Sequence, residues 1–315
     1  IACFPDDDLA ADAMANILNT YREENDLLNL ERWATIADRI ELGDPEVTAE
    51  IQKQIKVFKL GAQFQRAESL LAASRHLEAA KEFERLADQN QDAAFVDKAY
   101  YNAAMAYKEV KYYDSAARIF ERLVNDQRFA KSEFKTESVF ELAENYKLFF
   151  SFEKSTEAYF MFLQRTEGTT NANRPYALYT AARLQEYSGK LKEAAATYER
   201  YADTFKNRED SANALFRSAE LYEKLSDREQ QKRVLASFIT RFGTAQGMAS
   251  RVLDAMMRLG DLATAQGKVK DATKFYGDVV REYQARGFQP GTQAAAAAAK
   301  ARFMLVERQF EEYVK

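Results

Sequence analysis

The sequence of 315 residues is poor in residues that interrupt or cross-link a chain. It has one cysteine, Cys3, which excludes an internal disulfide and a cysteine-based metal site. Its 4 prolines and 11 glycines lie mainly between long stretches of helical periodicity, so the chain is predicted to be all-α. It also lacks an apolar run of the ~18–20 residues that a membrane-spanning helix needs, so no membrane span is expected.

The chain also has few residues of the kinds that most enzymes use. It has one histidine, His76, and it has neither a glycine-rich phosphate-binding loop nor a cysteine–histidine pair. We therefore expect no enzymatic activity, no catalytic residue, no cofactor and no metal. The formal net charge of −4 argues against nucleic acid as the partner.

What the sequence does contain is a recurrent unit, shown most clearly by Tyr100–Leu123. A small residue in a first helix recurs in steps of 37 to 41 residues, and a matching column recurs in a second helix. Two antiparallel helices approach closely only where side chains are small, so these columns predict stacked helical hairpins. The first column is Ala67, Ala104, Ala143, Ala182, Ala219 and Gly260. The second column is Ala79, Ala116, Ser155, Ala194, Gln231 and Ala272.

The repeats divide the chain into three predicted segments. Residues 1–45 are predicted to form a degenerate helical hairpin that caps the amino end. Residues 46–290 hold six repeats, and residues 291–315 form an alanine-rich helix. The distal half of that helix has too many apolar residues for one buried stripe. We therefore expect it to continue into further repeats or to contact a second protein or another copy of this chain.

The repeats from about Lys53 to Tyr283 resemble tetratricopeptide repeats (TPRs). The stretch from Ser237 to Gly243, followed by Leu253 to Gly260, carries the resemblance most clearly. The residue pattern of this stretch is similar to that of bacterial cell-envelope TPR proteins of the outer-membrane-assembly lipoprotein and Tol–Pal-associated type. The resemblance implies a TPR-like right-handed superhelical solenoid of antiparallel helix hairpins, whose concave face holds peptides or proteins. It favours a bacterial periplasm or envelope location over the cytoplasm.

The candidate partner-binding residues follow from the implied concave face. The residue three positions before each small residue should face the groove, which gives a ladder of mostly aromatic side chains. These residues are Phe64, Tyr101, Phe140, Tyr179, Phe216 and Met257. A polar rim one position after the small residue includes Glu144, Arg183 and Glu220. The rings could bind an extended peptide. Alternatively, they stiffen contacts between neighbouring first helices.

The sequence thus predicts a non-catalytic scaffold that holds a protein or peptide partner, as part of a bacterial envelope assembly. Two alternatives remain. The chain could be a structural spacer or a self-assembling segment of a larger protein, with self-association through the carboxyl-terminal helix. It could also be a glycan-binding module that uses the aromatic ladder, with the neighbouring acids as polar contacts.

Overall fold

The computed structural model describes residues 9–24, 26–40, 45–91, 94–245 and 247–314. These residues form fifteen α-helices and one short 3-10 turn, and no β-strand occurs among them. The predicted all-α fold is confirmed in these ranges. Cys3 and the residues that join the predicted amino-terminal hairpin to the first repeat lie outside the described residues.

The helices fall into two compact units, residues 1–151 and residues 152–315. In unit 1, each helix packs on the next one along the chain, and the longest helix runs without a break through Gly61. Its helices are α1 (Ala10–Glu23), α2 (Leu27–Ala37), α3 (Pro45–Ala72), α4 (His76–Gln89), α5 (Val96–Glu109), α6 (Tyr113–Asn125) and α7 (Lys135–Leu148).

Unit 2 repeats the same sequential packing, and its last helix contacts both helices of the hairpin before it. Its helices are α8 (Phe152–Arg165), α9 (Arg174–Tyr187), α10 (Leu191–Thr204), α11 (Ser211–Lys224), α12 (Arg228–Phe242), α13 (Ala249–Ala265), α14 (Val269–Ala285) and α15 (Gln293–Val314). Each unit is therefore a solenoid of antiparallel helical hairpins.

One backbone turn recurs between helices that follow one another along the chain. At each occurrence a single residue has a left-handed φ of +57° to +75°, and the next residue's N–H bonds back to a carbonyl five residues earlier at 2.9 Å. This bond pattern satisfies the free carbonyls at the end of the first helix. The left-handed residues are Ser74, Lys111, Phe150, Gly189, Ser226 and Gly267. Their spacing repeats the steps of the small-residue column.

The small-residue column lies at helix crossings, as the sequence predicts. Ala67, Ala104, Ala143 and Ala182 are fully buried. The tightest crossing joins α13 to α14, where a Cβ placed on Gly260 would lie 2.5 Å from Cε1 of Tyr276. Only a residue without a side chain fits against that buried ring.

The α13–α14 crossing provides a matched pair of glycine substitutions. Gly260→Ala should lower the free energy of unfolding by about 1–3 kcal/mol because the new methyl group overlaps the Tyr276 ring. Gly277 lies in α14 of the same hairpin with open space around its Cα, so Gly277→Ala should raise the free energy of unfolding by about 0.5–1 kcal/mol. Urea unfolding of both variants measures the difference. Equal stabilities would contradict the assigned crossing.

Buried tyrosines also link the helices through their hydroxyl groups. Within unit 1, the hydroxyl of Tyr100 donates to Oδ1 of Asp88 at 2.6 Å, and that of Tyr107 donates to Oε2 of Glu84 at 2.8 Å. Both bonds join α5 to α4, the second helix of the preceding hairpin. Burial, reinforced by the adjacent carboxylate, raises the pKa of each of these tyrosines to about 12.

These tyrosines predict how stability depends on alkaline pH. A tyrosine in the unfolded chain has a pKa of about 10, so the folded-state pKa is the higher one. Their protonated hydroxyls therefore stabilise the fold fully below pH about 10, and that stabilisation is lost as the pH rises toward about 12. Urea unfolding across this window should show the loss, and Tyr100→Phe should make it less steep. A free energy of unfolding that stays level in this window would refute the assignment.

Candidate partner-binding groove

One groove in unit 2 brings together side chains from three first helices. Its volume is ≈ 600 Å³. Each helix contributes residues spaced three or four apart, which lie on one helix face. The lining residues are Tyr179, Arg183, Glu186 and Tyr187 of α9, Asn213, Phe216, Arg217 and Glu220 of α11, and Ser250, Arg251, Asp254 and Arg258 of α13, with Tyr198 of α10 and Gln293 of α15.

The groove contains Tyr179, Arg183, Phe216 and Glu220 from the residues that the sequence predicts. The two rings are also packing residues. Tyr179 meets the ring of Tyr198 edge-on, with 5.5 Å between centroids. Phe216 is 7 % exposed and lies edge-on to a ring of α12. Both rings therefore fix a first helix on the second helix of its own hairpin and present only part of their surface to the groove.

In unit 1, two further predicted residues take the same packing role. Phe64 is buried and meets the rings of Phe83 and Phe95 edge-on, at centroid distances of 5.1 and 5.4 Å. Tyr101 is half-buried and stacks on Phe134 at 5.2 Å. These contacts join each ring to its own hairpin and to the start of the next. They are the contacts expected if the rings stiffen the solenoid.

The remaining predicted residues are not among those that line the groove of unit 2. Phe140 is half-buried on α7, and Glu144 of the same helix forms an ion pair with Lys147 at 2.6 Å. Met257 is 4 % exposed and belongs to the hydrophobic cluster around Tyr276. The face of α13 that enters the groove is therefore offset from the face that the repeat pattern indicates.

Arginine side chains neutralise the carboxylates that line the groove. Arg217 donates from Nη1 to Oε2 of Glu220 at 2.6 Å and from Nε to Oε2 of Glu186 at 3.2 Å. These hydrogen bonds, that to Glu186 first, raise the pKa of the Arg217 guanidinium above its usual value. Arg258 holds Oδ2 of Asp254 at 3.1 Å from its Nε. The lining carboxylates are thus already engaged.

Two other arginines have no carboxylate partner among the residues that the structure describes. Arg183 donates from Nη2 to the hydroxyl of Tyr187 at 2.7 Å and lies over the same ring. Arg251 stands 6.0 Å from the centroid of the Phe216 ring. Both side chains are exposed at the groove. Their guanidinium groups remain able to bind an anionic group, which planar guanidinium groups do with two parallel hydrogen bonds.

The groove also contains a polar atom without a partner. Oδ1 of Asn213 is buried, and none of the described residues donates a hydrogen bond to it. A buried acceptor left unpaired is costly, so native structures rarely retain one.

The residues predicted from the sequence do not include Asn213, Tyr187 and Arg251. Asn213 stands three positions before Phe216, one helical turn along the same face, so extending the ladder by one turn would have found it. No such signal identifies Arg251, because α13 has 17 residues against 14 in α9 and α11 and the face that it turns to the groove does not follow the column.

In the described part of the chain, no group of three or more histidine, cysteine, aspartate or glutamate side chains is placed to hold a metal ion. None of the helices there is both long enough and apolar enough to cross a membrane.

Comparison with known proteins gives one family match. Residues 254–284 match the model of the tetratricopeptide repeat family. The matched segment runs through α13 and α14 and includes the crossing at Gly260. No curated protein matches the sequence.

Solved structures that resemble the chain are helical repeat proteins. The nearly identical TPR-like repeats of a candidate kinesin light chain from Podosopora anserina are 16 % identical, with a TM-score of 0.40, covering 60 % of this chain and 97 % of that chain. BtubC (BKLC) from P. vanneervenii is 14 % identical, with a TM-score of 0.39, covering 71 % and 92 %. A tetratricopeptide repeat protein from Parabacteroides merdae is 12 % identical, with a TM-score of 0.36, covering 92 % and 98 %.

These similarities assign neither a partner nor an activity. The turn of the matched hairpin and its small-residue crossing recur through both units. The α13–α14 hairpin is therefore similar to a tetratricopeptide repeat, and the other hairpins share its turn and its small-residue crossing.

Proposed function

We propose that this chain is a non-catalytic scaffold for protein–protein interaction and that the groove of unit 2 binds an extended, acidic segment of its partner. The observation that carries the proposal is the pair Arg183 and Arg251, two guanidinium groups in one groove without a carboxylate partner among the described residues. TPR folds generally serve as protein-interaction scaffolds.

The shape of the groove favours an extended peptide. Three parallel first helices line it, and the partly exposed rings of Tyr179 and Tyr187 add apolar area of low conformational entropy. Oδ1 of Asn213 is buried in this structure, and a turn of the side chain toward the groove would let it accept from an N–H, which every peptide unit except proline carries. A peptide backbone thus complements the polar atom that the fold leaves unpaired.

The charge of the groove favours an acidic side chain in that peptide. The lining carboxylates are held by Arg217 and Arg258, so an incoming carboxylate would meet little uncompensated negative charge. Arg183 and Arg251 would each gain a charge-assisted hydrogen bond, which contributes about 1.5–3 kcal/mol. A basic peptide would instead have to displace an existing ion pair.

We also propose that the chain belongs to a bacterial cell-envelope assembly. The spacing of the repeats supports this proposal. Binding along the ladder of unit 1, including Phe64, Tyr101, Phe140 and Glu144, stays a prediction as well. Glycan binding is the competing ligand class, because Tyr179 and Tyr187 offer stacking surfaces near the ion-paired carboxylates. A structural spacer would bind neither ligand.

Replacing the two unpaired arginines tests the proposed ligand. The probes are fluorescein-labelled nine-residue peptide pools with a central Asp or Glu, and matched pools with Asn or Gln there. Arg183→Gln with Arg251→Gln should weaken binding of the acidic pool by at least about tenfold, since each lost charged hydrogen bond is worth about 1.5–3 kcal/mol. Fluorescence polarisation measures the change.

The charge-matched control is Arg200→Gln with Arg228→Gln, which removes two exposed arginines of α10 and α12 that do not line the groove. It should leave binding of the acidic pool unchanged. Equal binding of the acidic and amide pools would reject the acidic ligand. Binding of a chito- or maltooligosaccharide series in place of peptides would support the glycan-binding function. A protein that binds neither peptides nor oligosaccharides would support a structural spacer.

Asn213 gives a second test, which separates stability from binding. Asn213→Ala removes an unpaired acceptor, so the free energy of unfolding should change by less than about 1 kcal/mol while binding of the acidic peptide pool weakens. Asn145→Ala is the control, because Oδ1 of Asn145 is also buried without a partner whereas its Nδ2 donates to the carbonyl of Tyr113 at 2.7 Å. That variant should lose about 1–3 kcal/mol. An Asn213→Ala protein that is destabilised and binds as before would contradict the proposed role.

A further inference from the structure

The last helix, α15, has one face that is covered by its own chain. Ala294, Ala298 and Ala301 are at most 3 % exposed and belong to the cluster formed with α13 and α14. Arg308 holds the distal half of α15 on its own chain, because its Nη1 donates to the carbonyl oxygen of Val269 at 3.0 Å. The orientation of the helix is therefore fixed.

The opposite face of α15 is exposed and has a regular pattern. Its residues alternate in steps of three and four, the spacing of the two apolar positions in a coiled-coil heptad. This stripe, which we call the α15 seam, consists of Ala296, Ala299, Phe303, Val306, Phe310 and Tyr313. Phe303 and Val306 are each 63 % exposed, Phe310 is 66 % exposed and Tyr313 is 88 % exposed. None of the seam residues lines the groove of unit 2.

We infer that the α15 seam pairs with the same seam of a second copy of this chain, with the two helices antiparallel. The sizes of the side chains carry the inference. The side chains of the seam are small at its amino end and large at its carboxyl end. Only antiparallel pairing therefore places small side chains against large ones. Ala296 then faces the partner's Tyr313, and Ala299 faces the partner's Phe310.

The centre of the seam obeys the same symmetry. Phe303 and Val306 flank the midpoint, so Phe303 of one copy faces the partner's Val306, and the reverse contact follows from the two-fold axis. In parallel pairing, each aromatic residue would instead face the same residue of the second copy, and so would each alanine. That arrangement would crowd one end of the seam and leave space at the other.

The charges beside the seam fit the antiparallel arrangement. Lys300 and Glu307 occupy the same flanking position in successive heptads, and both are exposed. In an antiparallel pair Lys300 lies opposite the partner's Glu307, and symmetry makes this contact twice. Nζ of Lys300 also lies 2.8 Å from Oδ2 of Asp261 in its own chain. Both side chains of this ion pair are exposed. The seam thus matches a second copy of itself in both side-chain size and charge. This self-complementarity identifies a second copy of the chain as the partner of the seam.

A pair of matched substitutions tests the interface in the full chain. Val306→Glu places a charge near the midpoint of the seam, whereas Val57→Glu makes the same change at an equally exposed valine of α3, 66 % exposed against 63 %. Sedimentation equilibrium over a concentration series should give a dimer for the parent and for Val57→Glu, and a monomer for Val306→Glu. Parent protein that remains monomeric throughout, or a Val306→Glu dimer as stable as the parent, would overturn the inference.

Disulfide trapping tests the direction of pairing, in a Cys3→Ser background that removes the native thiol. Ala299→Cys and Phe310→Cys proteins are oxidised separately and as a mixture. Antiparallel pairing predicts a cross-linked dimer in the mixture, because a disulfide needs Cα atoms about 4.4–6.8 Å apart and only the mixed pair comes that close. Efficient cross-linking of Ala299→Cys with itself would instead show parallel pairing. The absence of cross-links from the mixture, in protein that sediments as a dimer, would place the interface elsewhere.

Discussion

The close approach of two helices at a small side chain determines how the helices of each hairpin pack. At Gly260 the ring of Tyr276 occupies the space that a Cβ would need, and the alanines of the other repeats are fully or almost fully buried at the equivalent position. Because the backbones approach so closely there, the large residues of the second helices must fill the spaces beside the crossing. A hairpin cannot bury those residues alone, so each one packs on its neighbours.

The groove of unit 2 follows from the same packing. The first helices lie close enough for Arg217 of α11 to reach Glu186 of α9, and this ion pair ties neighbouring hairpins together while it neutralises the groove. Tyr179 and Phe216 pack on the second helices of their own hairpins and present only part of their rings to the groove. Recognition in the proposed function therefore falls to the polar residues Arg183, Arg251 and Asn213.

Much of the fold could be predicted from the sequence because the repeat displays its own register. The small column at Ala104 and Ala182 and the large residues after it recur with little variation, so their burial follows from spacing alone. The charged groove could be predicted only in part. Arg183 was identified because it adjoins a small residue, whereas Arg251 depends on the orientation of a longer helix. The unpaired state of Asn213 depends on which donors surround it in three dimensions, and a sequence does not state that.

Site-specific photo-cross-linking shows whether a partner's extended acidic segment lies in the groove of unit 2. A benzophenone amino acid is placed at Tyr187 at the groove or at Ala196, an exposed residue of α10 outside it. After irradiation in the source cell, mass spectrometry reads the sequence of the peptide joined to each position. Binding in the groove predicts that position 187 yields partner peptides rich in aspartate or glutamate and that position 196 does not. Cross-links confined to position 196, or peptides at position 187 without acidic residues, would contradict it.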